Sequence, residues 1–407
     1  MKKTVLLLLV VLFCFAGLYA MSGKQGAKEE AGEKKESATG EARKEDRLDF
    51  TGVDVSQIKV KNMKKLTEDG IGYANPKWSP DGRYIAFTKA GAGGNVWIMN
   101  VETKEKIEIT KADRGGTKFY WAPDSEKIAY INKRKADGVF KNVIAVARID
   151  RKELRTEEEI VDKTADELVS SISTIWSMTG DKIKYMKEKD KKTAERNLGH
   201  KMRPTIKDVN PLAVKNKKVM EKNRKIYMQD EKGKEIKIAE YGYEPEIVED
   251  GKVRYKIDDE LYVVFDGYKR KVFYKARLRH GYLKNGEVVY EFLERLIEDN
   301  SKTISFDGDL MIYVESNEEG HELIESRLVA KSLSNKRTHE LLNNPKVIPV
   351  QPDLSHNGKY IAFIDEYAGG GNVFIIEVGI NAVSNTHLRA HETVLDLVCR
   401  LLLEKKK

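Results

Sequence analysis

The segment Pro76-Lys-Trp-Ser-Pro-Asp-Gly-Arg-Tyr-Ile-Ala-Phe87 returns near the other end of the chain as Pro352-Asp-Leu-Ser-His-Asn-Gly-Lys-Tyr-Ile-Ala-Phe363. Both run through glycines into an alternating apolar stretch, Gly93-Gly-Asn-Val-Trp-Ile-Met-Asn-Val101 in one case and Gly370-Gly-Asn-Val-Phe-Ile-Ile-Glu-Val378 in the other. A strand, an Asp/Asn-Gly turn, a β-branched and aromatic strand, a Gly-Asn turn and another strand make one antiparallel sheet unit. A unit that recurs at both ends of a chain predicts a repeat array, and repeats of this kind build propellers or solenoids.

Weaker copies fill the interval. Trp121-Ala-Pro-Asp-Ser-Glu-Lys-Ile-Ala-Tyr130 follows the first copy by about 43 positions, inside the roughly 40–45 residue period of propeller blades. Trp176-Ser-Met-Thr-Gly-Asp-Lys-Ile-Lys-Tyr185, Glu249-Asp-Gly-Lys-Val-Arg-Tyr255 and Ser305-Phe-Asp-Gly-Asp-Leu-Met-Ile-Tyr313 complete a set of six with the Pro352 copy. The sequence therefore predicts an all-β fold, a six-bladed β-propeller of four-stranded antiparallel blades. In the first blade, strands are expected over 76–79, 84–89, 96–101 and 106–110. Asp81 is expected to cap its own turn through backbone N–H groups. The last blade is short of an outer strand, and Gln57 to Thr67, ending in Leu66-Thr67 as the first blade ends in Ile109-Thr110, is expected to supply it and close the ring.

The order Trp-Ser-Pro-Asp-Gly, Ile-Ala-Phe, Asn-Val-Trp-Ile-Met-Asn and a terminal Ile-Thr resembles the WD40-like (PD40) repeat of TolB-like β-propellers. The Trp78 copy fits nearly every position, the Trp121 and Leu354 copies fit well, and the other three fit in outline. The resemblance covers about Gln57 to Val378. It implies an exported, non-enzymatic scaffold that binds a protein or peptide partner in the cell envelope, and a monomer. The small α/β domain that precedes the propeller in TolB has no counterpart here. Prolyl-oligopeptidase-type serine peptidases carry similar repeats, so a propeller separated from its hydrolase domain is the alternative reading.

The flanks read differently. Lys2 and Lys3, an apolar run from Val5 to Phe13 and a small-residue site at Leu18-Tyr-Ala20 have the composition of a secretory signal over 1–20, which predicts a periplasmic or secreted protein; an uncleaved anchor is the variant of that reading. Residues 21–56 are dense in Lys, Glu, Gly and Ala up to Arg47, too poor in large apolar groups to offset ordering entropy, and predict a disordered tether or a helical spacer. The propeller is expected over 57–381. The tail 382–407, with Ala382-Val-Ser-Asn-Thr-His-Leu-Arg-Ala-His-Glu-Thr393, resembles the translation of a sequencing adapter; as a native segment it would be an amphipathic helix with a basic end.

The formal charge of +8 falls to about +4 once that tail and the two signal lysines are set aside. Spread over so long a chain, this is no nucleic-acid footprint. The two cysteines, Cys14 and Cys399, lie in the signal and the tail, leaving no disulfide framework in the propeller. Gly-x-Ser-x-Gly and the phosphate-binding loop are absent from the sequence, and His200, His280 and His356 are isolated, so no catalytic, metal or cofactor residues are assigned. Partner contact is assigned instead to loops following the second strand of the blades: Gly91, Gly93, Gly94 and Asn95; Lys191, Lys192, Arg196, Lys201 and Arg203 in a long basic loop over 187–225; and Gly369, Gly370, Gly371 and Asn372. Ring closure would bring the two glycine hairpins side by side, and the basic loop is also suited to peripheral association with anionic headgroups.

Overall fold

The structure, a computed structural model, describes residues 47–381 apart from 90–93, 111–117, 137, 151–153, 163–164, 169–175, 178–179, 188–192, 199–211, 213–215, 249–250, 286, 320–321 and 367–370. These residues belong to one unit, Glu41–Lys407. The signal, nearly all of the tether and the tail lie outside them.

The chain opens with β1 (Ile58–Lys65), whose partner comes last. Sheet 1 follows, with β2 (Tyr73–Trp78), β3 (Tyr84–Lys89), β4 (Val96–Asn100) and β5 (Lys106–Glu108). Sheet 2 holds β6 (Phe119–Trp121), β7 (Lys127–Ala136), β8 (Val139–Asp150) and β9 (Arg155–Asp162). Sheet 3 has β10 (Ala165–Leu168), β11 (Lys182–Lys187) and β12 (Thr193–Asn197), with Trp176 bridged to Ile183. Sheet 4 has β13 (Lys218–Lys222), β14 (Lys225–Gln229) and β15 (Glu235–Ala239). Sheet 5 is the widest, with β16 (Tyr243–Ile247), β17 (Val253–Lys256), β18 (Leu261–Phe265), β19 (Arg270–Lys284) and β20 (Glu287–Glu298). Sheet 6 holds β21 (Lys302–Ile304), β22 (Leu310–Glu319), β23 (Glu322–Ser332) and β24 (Thr338–Leu342). Sheet 7 is β25 (Pro349–Leu354), β26 (Tyr360–Asp365) and β27 (Asn372–Ile380), completed by β1. All pairings are antiparallel, and the fold is an all-β propeller.

Six copies of the turn motif were expected to give six four-stranded blades; the described strands form seven sheets, four of them four-stranded. The extra one is sheet 4, whose strands match the later half of a repeat (Lys225 to Glu240 parallels Asn95 to Thr110) without a copy of the turn. The expected basic loop over 187–225 is likewise corrected, because β12 and β13 lie within it.

The turn motif has a physical reason. In sheet 1 the Ser79 hydroxyl donates to Asp81 at 2.7 Å and accepts from the Tyr84 N–H at 3.0 Å, while Asp81 also accepts from the Arg83 N–H. Ser305 and Asp307 repeat the relay in sheet 6, and Ser355 with Asn357 does so in sheet 7. The glycine of each turn takes a left-handed φ, +71° at Gly82, +76° at Gly308 and +72° at Gly358, where a side chain is strained. A second device recurs before the turn. Asn75, Glu244 and Gln351 all have positive φ, each precedes a proline, and each sits in a register shift of the first strand. A β-bulge leaves one residue unpaired, which suits a proline with no N–H to give.

Apolar faces of successive sheets then pack together. Sheets 7 and 1 share Trp78, Phe87, Ile364 and Val373; sheets 1 and 2 share Tyr84, Ile98, Ile128 and Tyr130; sheets 6 and 7 share Ile312, Leu328, Ile361 and Phe363. The ring closes as expected from Leu66-Thr67: β1 pairs with β27 from Ile58↔Ile380 to Lys65↔Phe374, Leu66 N–H donates to Val373 O, and the Thr67 hydroxyl accepts from Val373 N–H. Residues 47–54 lead into this strand across the turns of sheets 6 and 7. Leu48 N–H donates to Asn357 O, Phe50 N–H to Asp307 Oδ2, and the Phe50 ring is buried. Arg47 stacks on Phe306 at 3.9 Å and donates to His356 Nε2 at 2.6 Å, while His356 Nδ1–H donates to Tyr268 O. His356 lies in the turn of sheet 7 and is only partly exposed; burial and the Arg47 charge keep it neutral.

Ile58 is 1% exposed while its neighbour Lys59 is exposed. Ile58→Ala should lower unfolding stability by about 2–5 kcal/mol through lost burial and a residual cavity, against about 0.5 kcal/mol or less for Lys59→Ala, read from denaturant midpoints; equal losses would show that closure does not hold the ring.

Burial first, then the Arg47 charge, push the His356 imidazole down to about 3, against the pull of the Tyr268 carbonyl. An unfolded histidine protonates near 6.5, so between these values the unfolded chain binds the extra proton and stability is lost as pH falls. Over about pH 4 to 6, the stability of the unaltered protein should change more steeply than that of His356→Gln, by up to about 1.4 kcal/mol per pH unit. Parallel slopes would mean that the folded site accepts the proton.

Candidate functional site

In four of the sheets the position just before the Trp or aliphatic anchor of the repeat faces a shared interior space. Lys77, Tyr120, Thr303 and Asp353 occupy it in sheets 1, 2, 6 and 7, and all four line one cavity of about 780 Å³. An extended strand sends successive side chains to opposite faces, yet at the inner edge both the anchor and its predecessor reach this space, since Trp78, Trp121, Trp176, Ile304 and Leu354 also border it.

The same positions stitch neighbouring sheets. Trp121 Nε1 donates to Lys77 O at 3.1 Å and Trp176 Nε1 to Tyr120 O at 2.9 Å. Trp78 departs from this pattern: its indole N–H is buried with no partner among the described residues, and its backbone N–H instead donates to Asp353 Oδ2 at 2.8 Å. Leu354 N–H donates to the Thr303 hydroxyl at 3.2 Å.

Sheet 5 contributes in its own way. Its turn Asp266–Lys269 and the base of the β19–β20 hairpin line the cavity, together with Leu278 and Arg295 further along. Asp266 shapes the turn by accepting from the N–H groups of Tyr268 and Lys269. Lys269 then reaches Asp353 with contacts of 2.5 and 2.6 Å to its two oxygens. Asp353 is 2% exposed; a buried carboxylate is stable there because two cations and a backbone N–H face it, Lys77 lying 3.9 Å away. Lys77 also donates to Asn300 Oδ1.

Beside this group, Lys271 pairs with Glu298 at 3.2 Å and stands over the Tyr120 ring at 4.5 Å. Burial alone would lower the Lys271 ammonium and raise the Glu298 carboxyl. The attraction between them wins: Lys271 is held above the usual lysine value and Glu298, facing Lys271 and Lys77, below the usual carboxylate value. Lys77 has the opposite fate. Burial, with repulsion from Lys269 and Lys271, outweighs Asp353 and Glu298 and lowers it. Lys302 on Asp299 at 2.6 Å completes the wall. In all, nine Lys and Arg against four Asp and Glu line the cavity. Asp353, Glu298 and Asp299 are ion-paired and Asp266 is held by backbone N–H groups, so the wall carries a cationic excess. A wall of this kind attracts anions, and its aromatic members offer apolar surface alongside.

The loop residues assigned from sequence lie elsewhere. Gly91, Gly93, Lys191, Lys192, Lys201, Arg203, Gly369 and Gly370 fall outside the described residues. Gly94 is buried, and Asn95 donates from its side chain to Glu108. Arg196 donates to Val161 O, and Asn372 accepts from the Thr67 hydroxyl. Gly371, at φ +52°, accepts from Tyr73 N–H at 2.6 Å, and an added Cβ would come within 3.0 Å of Tyr73 N. Its glycine is explained by the close approach of sheets 7 and 1. None of the described loop residues is in the cavity wall. Sequence reading missed Lys77, Asp353, Lys269, Lys271 and Glu298. The available signal was the residue before each anchor, where the copies differ in charge while their surroundings agree. Among the described residues no group of His, Cys, Asp and Glu is arranged to hold a metal ion.

No family model matches the chain. A curated relative, the uncharacterized peptidase YuxL of Bacillus subtilis, is 39% identical over 56 residues, which is 13% of this chain and 8% of that protein. The matched stretch thus spans a small part of the relative's length. Among solved structures, the chain is similar to an oligogalacturonate lyase from Vibrio parahaemolyticus, with 13% identity, a TM-score of 0.40 and coverage of 79% of this chain and 97% of that one. It is also similar to TolB from Acinetobacter baumannii, at 13% identity and a TM-score of 0.29 over 75% of this chain and 63% of that one. The WD40 repeats of RRP9 align at 12% identity and a TM-score of 0.36, over 79% and 100%.

Proposed function

We propose that this chain is a non-enzymatic binding propeller that takes an acidic segment of a protein or peptide partner at its central cavity. The observation that carries this reading is the cationic excess of the cavity wall, built on Lys77, Lys269, Lys271 and Arg295 around carboxylates that are already paired. The secretory composition of residues 1–20 supports action in the periplasm or outside the cell, and the WD40-like, TolB-like repeat supports a scaffold in envelope assemblies. The glycine and basic loops, away from this wall, would then be secondary contacts.

A second reading is favoured by the short match to a peptidase: the propeller would be one part of a prolyl-oligopeptidase-type enzyme. Reading the coding sequence past Asn381 separates the two, since an open frame of domain length containing Gly-x-Ser-x-Gly would transfer the function to the peptidase.

Arg295 is exposed at the cavity wall and has no ion pair among the described residues, so its charge can be reversed with little cost to folding. Pull-downs from envelope extract with Arg295→Glu should recover the main partner about tenfold less well than the unaltered protein, the scale of one charge-assisted contact. Recovery by the unaltered protein should also fall with added salt. A folded variant that retains the partner with unchanged salt dependence would remove the cavity from the function.

A further inference from the structure

The β19–β20 hairpin extends well beyond the strands beside it. Its base is anchored by Lys271, Glu298, the Leu261–Tyr274 pairing to β18 and the Lys275 N–H on Glu260 O, while further out, among the described residues, β19 and β20 pair only with each other, from Ala276↔Arg295 to Lys284↔Glu287. Among the described residues β20 has no partner on its second edge. Such an edge displays unpaired N–H and C=O groups and is a template for another strand.

One face of this arm is unusual in composition. Phe292 is 56% exposed, Tyr290 53% and Val288 58%, a row of large apolar groups on β20. Opposite them on β19, Arg277 lies 4.3 Å from the Phe292 ring centroid and Arg279 lies 3.6 Å from that of Tyr290. Among the described residues neither arginine makes an ion pair, and Glu294 close by is taken by Lys275 at 2.7 Å. Each guanidinium therefore leans over a ring of β20, toward the open edge, held by stacking and not by an ion pair among the described residues. Stacking fixes its position while leaving N–H donors for a carboxylate, the bidentate partner that guanidinium geometry suits.

We infer that the free edge of β20 is a docking site for an extended acidic segment of a partner protein, added as a further strand beside β20 with carboxylates at alternate positions. The spacing matches. Arg277 and Arg279 are two residues apart on a strand, about 6.7 Å at the usual rise, and an added strand presents same-face side chains at the same interval. An adjacent strand lies about 4.8 Å from β20, within reach of guanidinium groups that already stand over it. Backbone pairing would supply the affinity and the two arginines the preference for acid at every second residue, the division of labour in strand addition. Exposed Phe292 and Tyr290 would be covered by the incoming side chains. The site lies on the face of the hairpin opposite the central cavity.

The test uses the full chain and a fluorescein-labelled peptide of alternating valine and glutamate, followed by anisotropy. A peptide of the same composition with its glutamates in one block should bind at least tenfold more weakly. So should the alternating peptide N-methylated along one edge, in whichever of the two edge patterns faces β20. Replacement of Arg277 and Arg279 together by glutamate should also weaken binding at least tenfold, whereas Lys59→Glu, on an exposed position of β1, should not change it. Equal binding by the block peptide, or indifference to both N-methylation patterns, overturns strand addition. Absence of peptide binding together with retention on phosphatidylglycerol vesicles overturns the partner assignment and makes the arm a membrane contact.

Discussion

Everything in this propeller depends on the pairing of β1 with β27. A ring of sheets is stable only when its last sheet meets its first, and here the meeting is made by strands from opposite ends of the fold, in register from Ile58↔Ile380 to Lys65↔Phe374. The preceding residues reinforce it. Phe50 is buried against sheets 6 and 7, and Arg47, Leu48 and Phe50 bond His356, Asn357 and Asp307. These contacts join positions separated by most of the chain, so their entropy cost falls due only when the whole propeller is made. Stability and completeness of the fold are therefore one property, and the seam with Trp78, Tyr360 and Asp353 at its heart is where a local loss has the widest effect.

Within each sheet the order is set by a much smaller device. A serine hydroxyl that both donates to an Asp or Asn and accepts from the next strand's first N–H fixes the turn with three short bonds. The turn engages the serine hydroxyl and the Oδ1 of Asp81, Asp307 and Asn357, which gives these residues a structural part in each repeat. Sheet 5 shows what happens when the device is lost. Val248 stands where the serine would be; among the described residues the turn has the backbone bonds Val248 N–H to Lys252 O and Gly251 N–H to Val248 O, and Glu244-Pro245 preserves the bulge. Packing of Tyr255 and Val253 against sheet 4 then compensates for the missing side-chain relay.

What could be read from sequence follows these two devices. Turn copies marked sheets 1, 2, 3, 5, 6 and 7, and Leu66-Thr67 marked the closing strand, because both are local patterns repeated in the chain. Sheet 4 carries no turn copy, so a count of turns passed over it, although Lys225 to Glu240 echoes the later half of the first repeat. The long β19–β20 hairpin was likewise missed, yet Asn285-Gly286 between alternating apolar residues is a strong hairpin signal. Its length hid it, since it exceeds what a blade repeat predicts. Of the central charge network only Lys77 and Asp353 carried a signal, as the charged residues before their anchors. Lys77, Lys269, Lys271, Glu298 and Asp353 come from three sheets, and no spacing in the sequence announces that a ring will bring them together.

The hairpin links the two surfaces that remain for function. Alternation along a strand sends Leu278 and Arg295 to the cavity wall and Arg277, Arg279, Tyr290 and Phe292 to the opposite face. At the base, Lys271 and Glu298 are locked by burial and by each other, so this end cannot shift without breaking a charge pair in the interior. Further out, the arm has only its own cross-strand bonds, and local stability declines where packing is thin. A ligand at the cavity would press on Arg295 and Leu278, and one on the outer edge would add bonds to β20. Both therefore act on the same ribbon of backbone, from opposite faces, with a rigid base as the common reference. Coupling between the two surfaces needs no longer path than the thickness of one hairpin.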